Sequence, residues 1–173
     1  MKKHTKTILL AIILAEAVGA LSGWLTREGM KAFTDAIAQP PLSPPPLLFP
    51  IVWTILYGLM GFGSARIWLN PPSTQRSRAL NLYAAQLIFN FFWSLIFFNA
   101  QAFGFAFFWL LALWLLVLLM ILAFHEIDPL AAKLQLPYLI WLTFAAYLHQ
   151  VLCCNTNKSQ ELKHTRIIPL PKM

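Results

Sequence analysis

The stretch FPIVWTILYGLMGFGSARIW, residues 49–68, is apolar enough to lie in lipid, yet it carries Trp53, Tyr57, Gly61, Ser64 and Trp68. The steps between them are four, four, three and four, so all five fall on one face of a helix. About 20 apolar residues carry a helix across a bilayer, and this stretch has that length. A plain anchor has no need of such a stripe. It reads either as an aromatic wall facing a cavity or as interfacial belt and helix packing, which aromatic and small residues also serve. Trp68 with Arg66 fits the belt, whereas Trp53 and Tyr57 sit deeper.

The rest of the chain has the same character. Of 173 residues, 59% are hydrophobic and 11% charged, and the mean hydropathy is +0.65. A soluble domain needs more charge than this, so the composition points to an integral, multi-pass membrane protein. The net charge of +7 sits mostly in ends and loops, where it suits contact with anionic lipid headgroups. No basic stripe interleaves with exposed aromatics, and no nucleic-acid partner is expected. Cys153 and Cys154 are adjacent, and no CxxC occurs, so neither a disulfide framework nor a metal site is expected.

Apolar runs at about residues 7–25, 47–69, 80–99, 103–124 and 134–154 predict five membrane-spanning helices. The expectation is an all-α polytopic membrane protein, a five-transmembrane-helix bundle over 1–154 with a polar, basic, disordered tail over 155–173. The basic start and apolar run of the N-terminus imitate a signal peptide. The run continues to Trp24 and contains Glu16, so it reads as a retained first span. The few residues between the third and fourth runs force a hairpin. The 26–46 connection ends in PPLSPPP, which predicts a stiff extended path across one mouth of the bundle. Lys2, Lys3, Lys6, Arg76, Arg78 and Lys133 fall on one side, which the positive-inside rule places in the cytoplasm or its equivalent.

Polar groups within the spans are the candidate functional residues. Gln86, Asn90 and Trp93 share one face of the third run. They are either interhelical glue or the lining of a site that binds a polar ligand group. Tyr138, Trp141, Ala145 and His149 form a stripe on the fifth run, with His149 either a ligand or proton site or a solvated group near a helix end. Glu16, in the middle of the first run, is either functional or a neutral carboxyl bonded to a neighbouring helix. Gly19 and Gly23, extended by Ala15, are a GxxxG face for close helix contact. No nucleophile with a base, no carboxylate pair on one face and no glycine-rich phosphate loop is legible, so no catalytic residue is assigned.

Three motifs, FPIVWTILYGLMGFGSARIW, YAAQLIFNFFWSLIFF and HEIDPLAAKLQLPYLIWLTFAAYL, together resemble the TspO/MBR family. That family comprises the bacterial tryptophan-rich sensory proteins and the mitochondrial translocator proteins, also called peripheral-type benzodiazepine receptors. The resemblance covers about residues 8–148. It implies a five-helix membrane bundle, commonly dimeric, that binds porphyrins and, in animal members, cholesterol and synthetic ligands. It also implies a cavity inside the bundle lined here by Trp53, Tyr57, Gln86, Asn90, Trp93 and Trp141.

The chain departs from the family pattern at Leu42 and Leu47, where tryptophan is frequent, at Trp109, where aspartate is frequent, and at His149, where asparagine is usual. The function implied is a sensor or carrier for a porphyrin or other tetrapyrrole, protoporphyrin IX or haem, with no cofactor required. Two alternatives stand beside it: an enzyme promoting porphyrin photo-oxidation, and a structural assembly partner in the membrane.

Overall fold

The structure, a computed structural model, describes the backbone of residues 2–36 and 48–165 and the side chains of 4–35 and 48–151. The described residues form five long α-helices and one short one: α1 (Lys2–Ala36), α2 (Leu48–Trp68), α3 (Thr74–Ser94), α4 (Phe103–His125), α5 (Pro129–Lys133) and α6 (Leu136–Thr165). Among the described residues, α1, α2, α4 and α3 with its π-helical extension are long and apolar enough to cross a membrane. The described side chains of α6 stop at residue 151, so the fifth span lies partly outside them. The protein is an all-α, multi-pass membrane protein.

Helix ends follow local chemistry more than hydropathy. α1 runs on to Ala36, well past the expected end at 25, because residues 26–36 hold good helix formers and no proline. The connection to α2 is correspondingly shorter than expected. The PPLSPPP segment, with Leu42 and Leu47, lies outside the described residues. α2 tolerates Pro50 because it falls in the first turn, where its missing N–H has no partner to lose. α3 starts earlier than expected, at Thr74, since Ser73 caps it by accepting a hydrogen bond from the Arg76 N–H at 3.1 Å. It ends in a π-helical turn, Leu95–Asn99, where the Ala100 N–H donates to the Leu95 carbonyl at 3.0 Å. Gln101 then adopts φ 49°, the left-handed conformation that turns the chain into α4.

The short helix α5 was not expected. Asp128 creates it: one carboxylate oxygen accepts from the Leu130 and Ala131 N–H groups, and Pro129 follows at the first helical position. The other oxygen pairs with Arg66, 2.7 Å from Nη2. Arg66 therefore ties the end of α2 to α5 and does not serve with Trp68 in the interfacial belt. The guanidinium over the Trp68 ring belongs to Arg76, at 5.3 Å. α6 passes the expected end at 154. No glycine or proline occurs between Tyr138 and Ile168 to stop it, so the tail expected to be disordered from Asn155 is helical as far as Thr165. Residues 166–173 lie outside the described residues.

α1 packs on α2, α3 folds back on α4 as the short connection required, and α4 also carries α5 and α6. α4 buries Ala106, Leu110, Leu113, Val117, Met120 and Phe124, at steps of four, three, four, three and four, and turns Phe105, Phe108, Leu111, Leu115 and Leu122 outward. The α1–α2 approach depends on glycine. A Cβ at Gly61 would come within 2.5 Å of the Ile12 Cα, and one at Gly19 would collide with the Tyr57 ring. The GxxxG expectation holds for Ala15 and Gly19 only, because a Cβ at Gly23 would meet nothing within 4 Å.

Candidate functional site

Three helices meet in the middle of the bundle through one hydrogen-bonded bridge. The Tyr57 hydroxyl of α2 donates to Asn90 Oδ1 of α3 at 2.8 Å, and Asn90 Nδ2 donates to the Tyr138 hydroxyl of α6 at 2.6 Å. All three side chains are buried, with Tyr138 1% and Asn90 2% exposed. Satisfaction inside the bundle is what a polar group at this depth demands, since hydrocarbon offers no partner. The position of Tyr57 is set from α1, where Gly19 leaves room for its ring.

Trp53 closes the group on the α2 side. Its ring lies 5.5 Å from Tyr57 and 6.2 Å, edge to face, from Tyr138. One turn from Asn90 along α3, Gln86 is fully buried. Its Nε2 makes a long contact of 3.8 Å to Met60 Sδ, and its Oε1 has no partner among the described residues. One turn the other way, Trp93 stacks on Phe97 at 5.1 Å, and its Nε1 is buried and also without a partner. Trp141 packs between Phe49 and Phe144, each at 5.8 Å, and joins the same core without touching the bridge by a hydrogen bond.

Of the six residues expected to line a cavity, the structure thus brings Trp53, Tyr57 and Asn90 into direct contact, puts Gln86 and Trp93 on the flanking turns of α3, and sets Trp141 to one side. Tyr57 and Asn90 bond each other, whereas Gln86 Oε1 and Trp93 Nε1 are buried without partners among the described residues. An open depression of about 510 Å³ lies elsewhere, on the outer face of α3 along Thr74, Ser77, Arg78, Asn81, Leu82 and Ala85. Tyr138, which completes the bridge, was not among the six residues expected to line the cavity. Its place on the stripe with Trp141 and His149 was the available signal.

The other candidates resolve as follows. Glu16 is half-buried on α1 with no hydrogen bond or ion pair among the described residues, its Oε1 3.7 Å from where a Gly58 Cβ would stand. Trp109 donates its Nε1 hydrogen to the Phe89 carbonyl at 2.8 Å and stacks on the Phe89 ring at 4.4 Å, sealing the α3–α4 seam. His149 is buried, not solvated, with Nε2 2.8 Å from the Phe103 carbonyl. Among the described residues no group of three or more histidine, cysteine, aspartate or glutamate side chains could hold a metal ion.

Comparison with known proteins agrees with this architecture. Residues 11–153 match the TspO/MBR family. The chain is similar to the tryptophan-rich protein TspO of Chlorobaculum tepidum, 33% identical over 153 residues that cover 86% of this chain and 95% of that one. It is similar to the tryptophan-rich sensory protein of Cereibacter sphaeroides, 36% identical over 154 residues, 88% of this chain and 94% of the relative. The human translocator protein is 34% identical over 140 residues, 79% of this chain and 82% of its own length.

Proposed function

The chain belongs to the TspO/MBR family, and from that premise we propose that it is a membrane-embedded binding protein, a sensor or carrier, whose ligand is a porphyrin or related tetrapyrrole held inside the bundle. Relatives named sensory protein and translocator protein support the sensor or carrier role. The observation that carries the ligand reading is the buried bridge of Tyr57, Asn90 and Tyr138 beside two buried polar atoms without partners, Gln86 Oε1 and Trp93 Nε1. Buried polar groups are ordinarily satisfied, and spare capacity at the centre of a membrane bundle favours a ligand that supplies the missing bonds.

The surroundings fit a flat apolar ring in kind. Trp53, Trp93 and Trp141 offer aromatic walls, and the bridge offers neutral donors and acceptors. A bound tetrapyrrole would supply light absorption and, when metallated, an iron centre. The protein's own share is to hold the ring by stacking and by hydrogen bonds from Asn90 and Gln86, and to keep water from it.

The test is a tryptophan-fluorescence titration of the purified chain with protoporphyrin IX and, in parallel, with haem. Saturable quenching that weakens when Asn90 or Trp53 is replaced supports the reading. Quenching that rises linearly with ligand and ignores both substitutions refutes it.

A further inference from the structure

The depression on the outer face of α3 takes no part in the bridge. Thr74, Ser77, Arg78, Asn81, Leu82 and Ala85 line it, and its volume is about 510 Å³. Ligand sites commonly run from about 300 to 1,000 Å³. The lining changes character along the helix. Thr74, Ser77, Arg78 and Asn81 come first, and Leu82 and Ala85 follow. Ala85 lies about 10 Å beyond Arg78 along the helix axis. The apolar span of α3 starts at Thr74. The polar part therefore stands at the level of lipid headgroups and the apolar part beside the first methylenes of the acyl chains.

The two arginines at the start of α3 differ. Arg76 is engaged by the protein. Its Nη1 donates to the Asn70 carbonyl at 2.7 Å and to the Trp68 carbonyl at 3.3 Å, and its guanidinium lies over the Trp68 ring. Arg78 is exposed and makes no hydrogen bond or ion pair among the described residues. Its fork of N–H donors is open to a ligand. The neighbourhood is basic, with Lys6, Arg76 and Lys133 at the same end of the bundle. Of the acids at that end, Asp128 is taken up by Arg66 at 2.7 Å, which leaves Glu126 to offset them.

A bare inorganic anion would use the polar part and leave Leu82 and Ala85 uncovered. A plain hydrocarbon chain would cover those two and leave Arg78 without a counter-charge. An amphiphile with a phosphate head and an acyl chain uses both parts. Arginine meets phosphate oxygens two at a time, and basic pockets on membrane helices hold anionic headgroups.

We propose that this depression is a site for one anionic phospholipid, its phosphate on Arg78 and Asn81 and the start of an acyl chain along Leu82 and Ala85. The site lies outside the bundle and does not depend on what the bundle holds. It ties the start of α3 to a leaflet that carries anionic lipid.

The experiment uses the full chain in detergent, titrated with phosphatidylglycerol and, separately, with phosphatidylcholine of the same chain length. Native mass spectrometry counts the lipids retained by wild type, Arg78→Ala, Ala85→Phe and Lys133→Ala, and thermal melts check each fold. Wild type is expected to retain one phosphatidylglycerol saturably and in preference to phosphatidylcholine. Arg78→Ala is expected to weaken phosphatidylglycerol about fivefold or more and to leave phosphatidylcholine within about twofold. Ala85→Phe keeps the charge, fills the apolar part and should also weaken phosphatidylglycerol. Lys133→Ala removes a charge from the same end, outside the depression, and should change little.

Equal weakening by Arg78→Ala and Lys133→Ala would reduce the effect to diffuse surface charge and overturn the site. Equal retention of the two lipids by wild type would overturn it as well. Displacement of the lipid by inorganic phosphate, with Ala85→Phe unchanged, would make this a bare anion site. Loss of an oligomer in the Arg78 and Ala85 variants, with the lipid count unchanged, would give the face to a second copy of the chain and overturn the proposal.

Discussion

Replacing Asn90 with leucine removes the centre of the bridge. Leucine matches asparagine in branching and suits the apolar surround; its methyl groups are bulkier, so it leaves no cavity and the loss is of hydrogen bonds. Two bonds go, one from Tyr57 and one to Tyr138, and both phenols stay buried. Interhelical hydrogen bonds in membranes contribute about 0.6 kcal/mol on average and about 1.7 at most, so two should cost about 1–3 kcal/mol. For a chain of this size that corresponds to a melting temperature lower by roughly 3–10 °C. Tyr57→Phe removes one of the two bonds and should cost about half as much. The double variant should fall short of additivity by about the energy of the shared bond.

Ligand affinity is a separate readout. A ligand group left facing leucine loses its partner, a cost of about 1–3 kcal/mol, or roughly 5- to 150-fold in dissociation constant. Thermal melts without ligand and isothermal titration with one porphyrin measure the two effects on the same preparations. A lower melt with unchanged affinity would make Asn90 a packing residue only. An unchanged melt would refute the bridge itself.

Trp53→Ala is expected to weaken porphyrin binding more than Trp68→Ala, because Trp53 touches Tyr57 and Tyr138 whereas Trp68 is 57% exposed beneath Arg76. Equal losses in matched titrations would contradict this. Gly61→Val should destabilise by about 1–3 kcal/mol or more, since the added atoms meet α1 backbone that has nowhere to go, while Gly23→Val should leave the melt nearly unchanged. Similar melts for the two would remove the close α1–α2 contact. Asp128→Asn keeps an oxygen to cap α5 and loses only the ion pair with Arg66, so it should cost less than Asp128→Ala, which loses about 1 kcal/mol of capping as well. Denaturant melts of the two variants with Arg66→Ala as reference decide it.

The sequence made the membrane class, the number of long helices and the inward face of α3 legible, because each rests on local spacing. Gln86 and Asn90 had to face inward, since amides at that depth need partners, and both are buried. α4 was different. Nearly every residue in it is apolar, so hydropathy could not separate the buried stripe of Ala106, Leu110, Leu113 and Val117 from the lipid-facing Phe105 and Phe108. The Arg66–Asp128 pair joins residues 62 positions apart, and no local pattern announces such a contact. Tyr138 was read as one member of a stripe, because its partner Asn90 lies 48 residues away on another helix. Gly19 and Gly23 look alike in sequence. Only Gly19 lies against the Tyr57 ring, because the buried stripe of α1 passes on to Ser22 and Thr26 and leaves Gly23 exposed.

The amide at the centre of the bridge is not symmetric, and that gives the bridge a direction. As it stands, Tyr57 gives its hydrogen to Asn90, Asn90 gives one to Tyr138, and the Tyr138 hydroxyl hydrogen is left over. Turning the amide end for end exchanges its oxygen and nitrogen and makes the same number of bonds with every role reversed. Tyr138 then becomes the giver, and the hydrogen left over belongs to Tyr57. The three side chains therefore form a two-way element of constant bond count, able to offer its spare hydrogen toward α6 or toward α2, with no helix having to move.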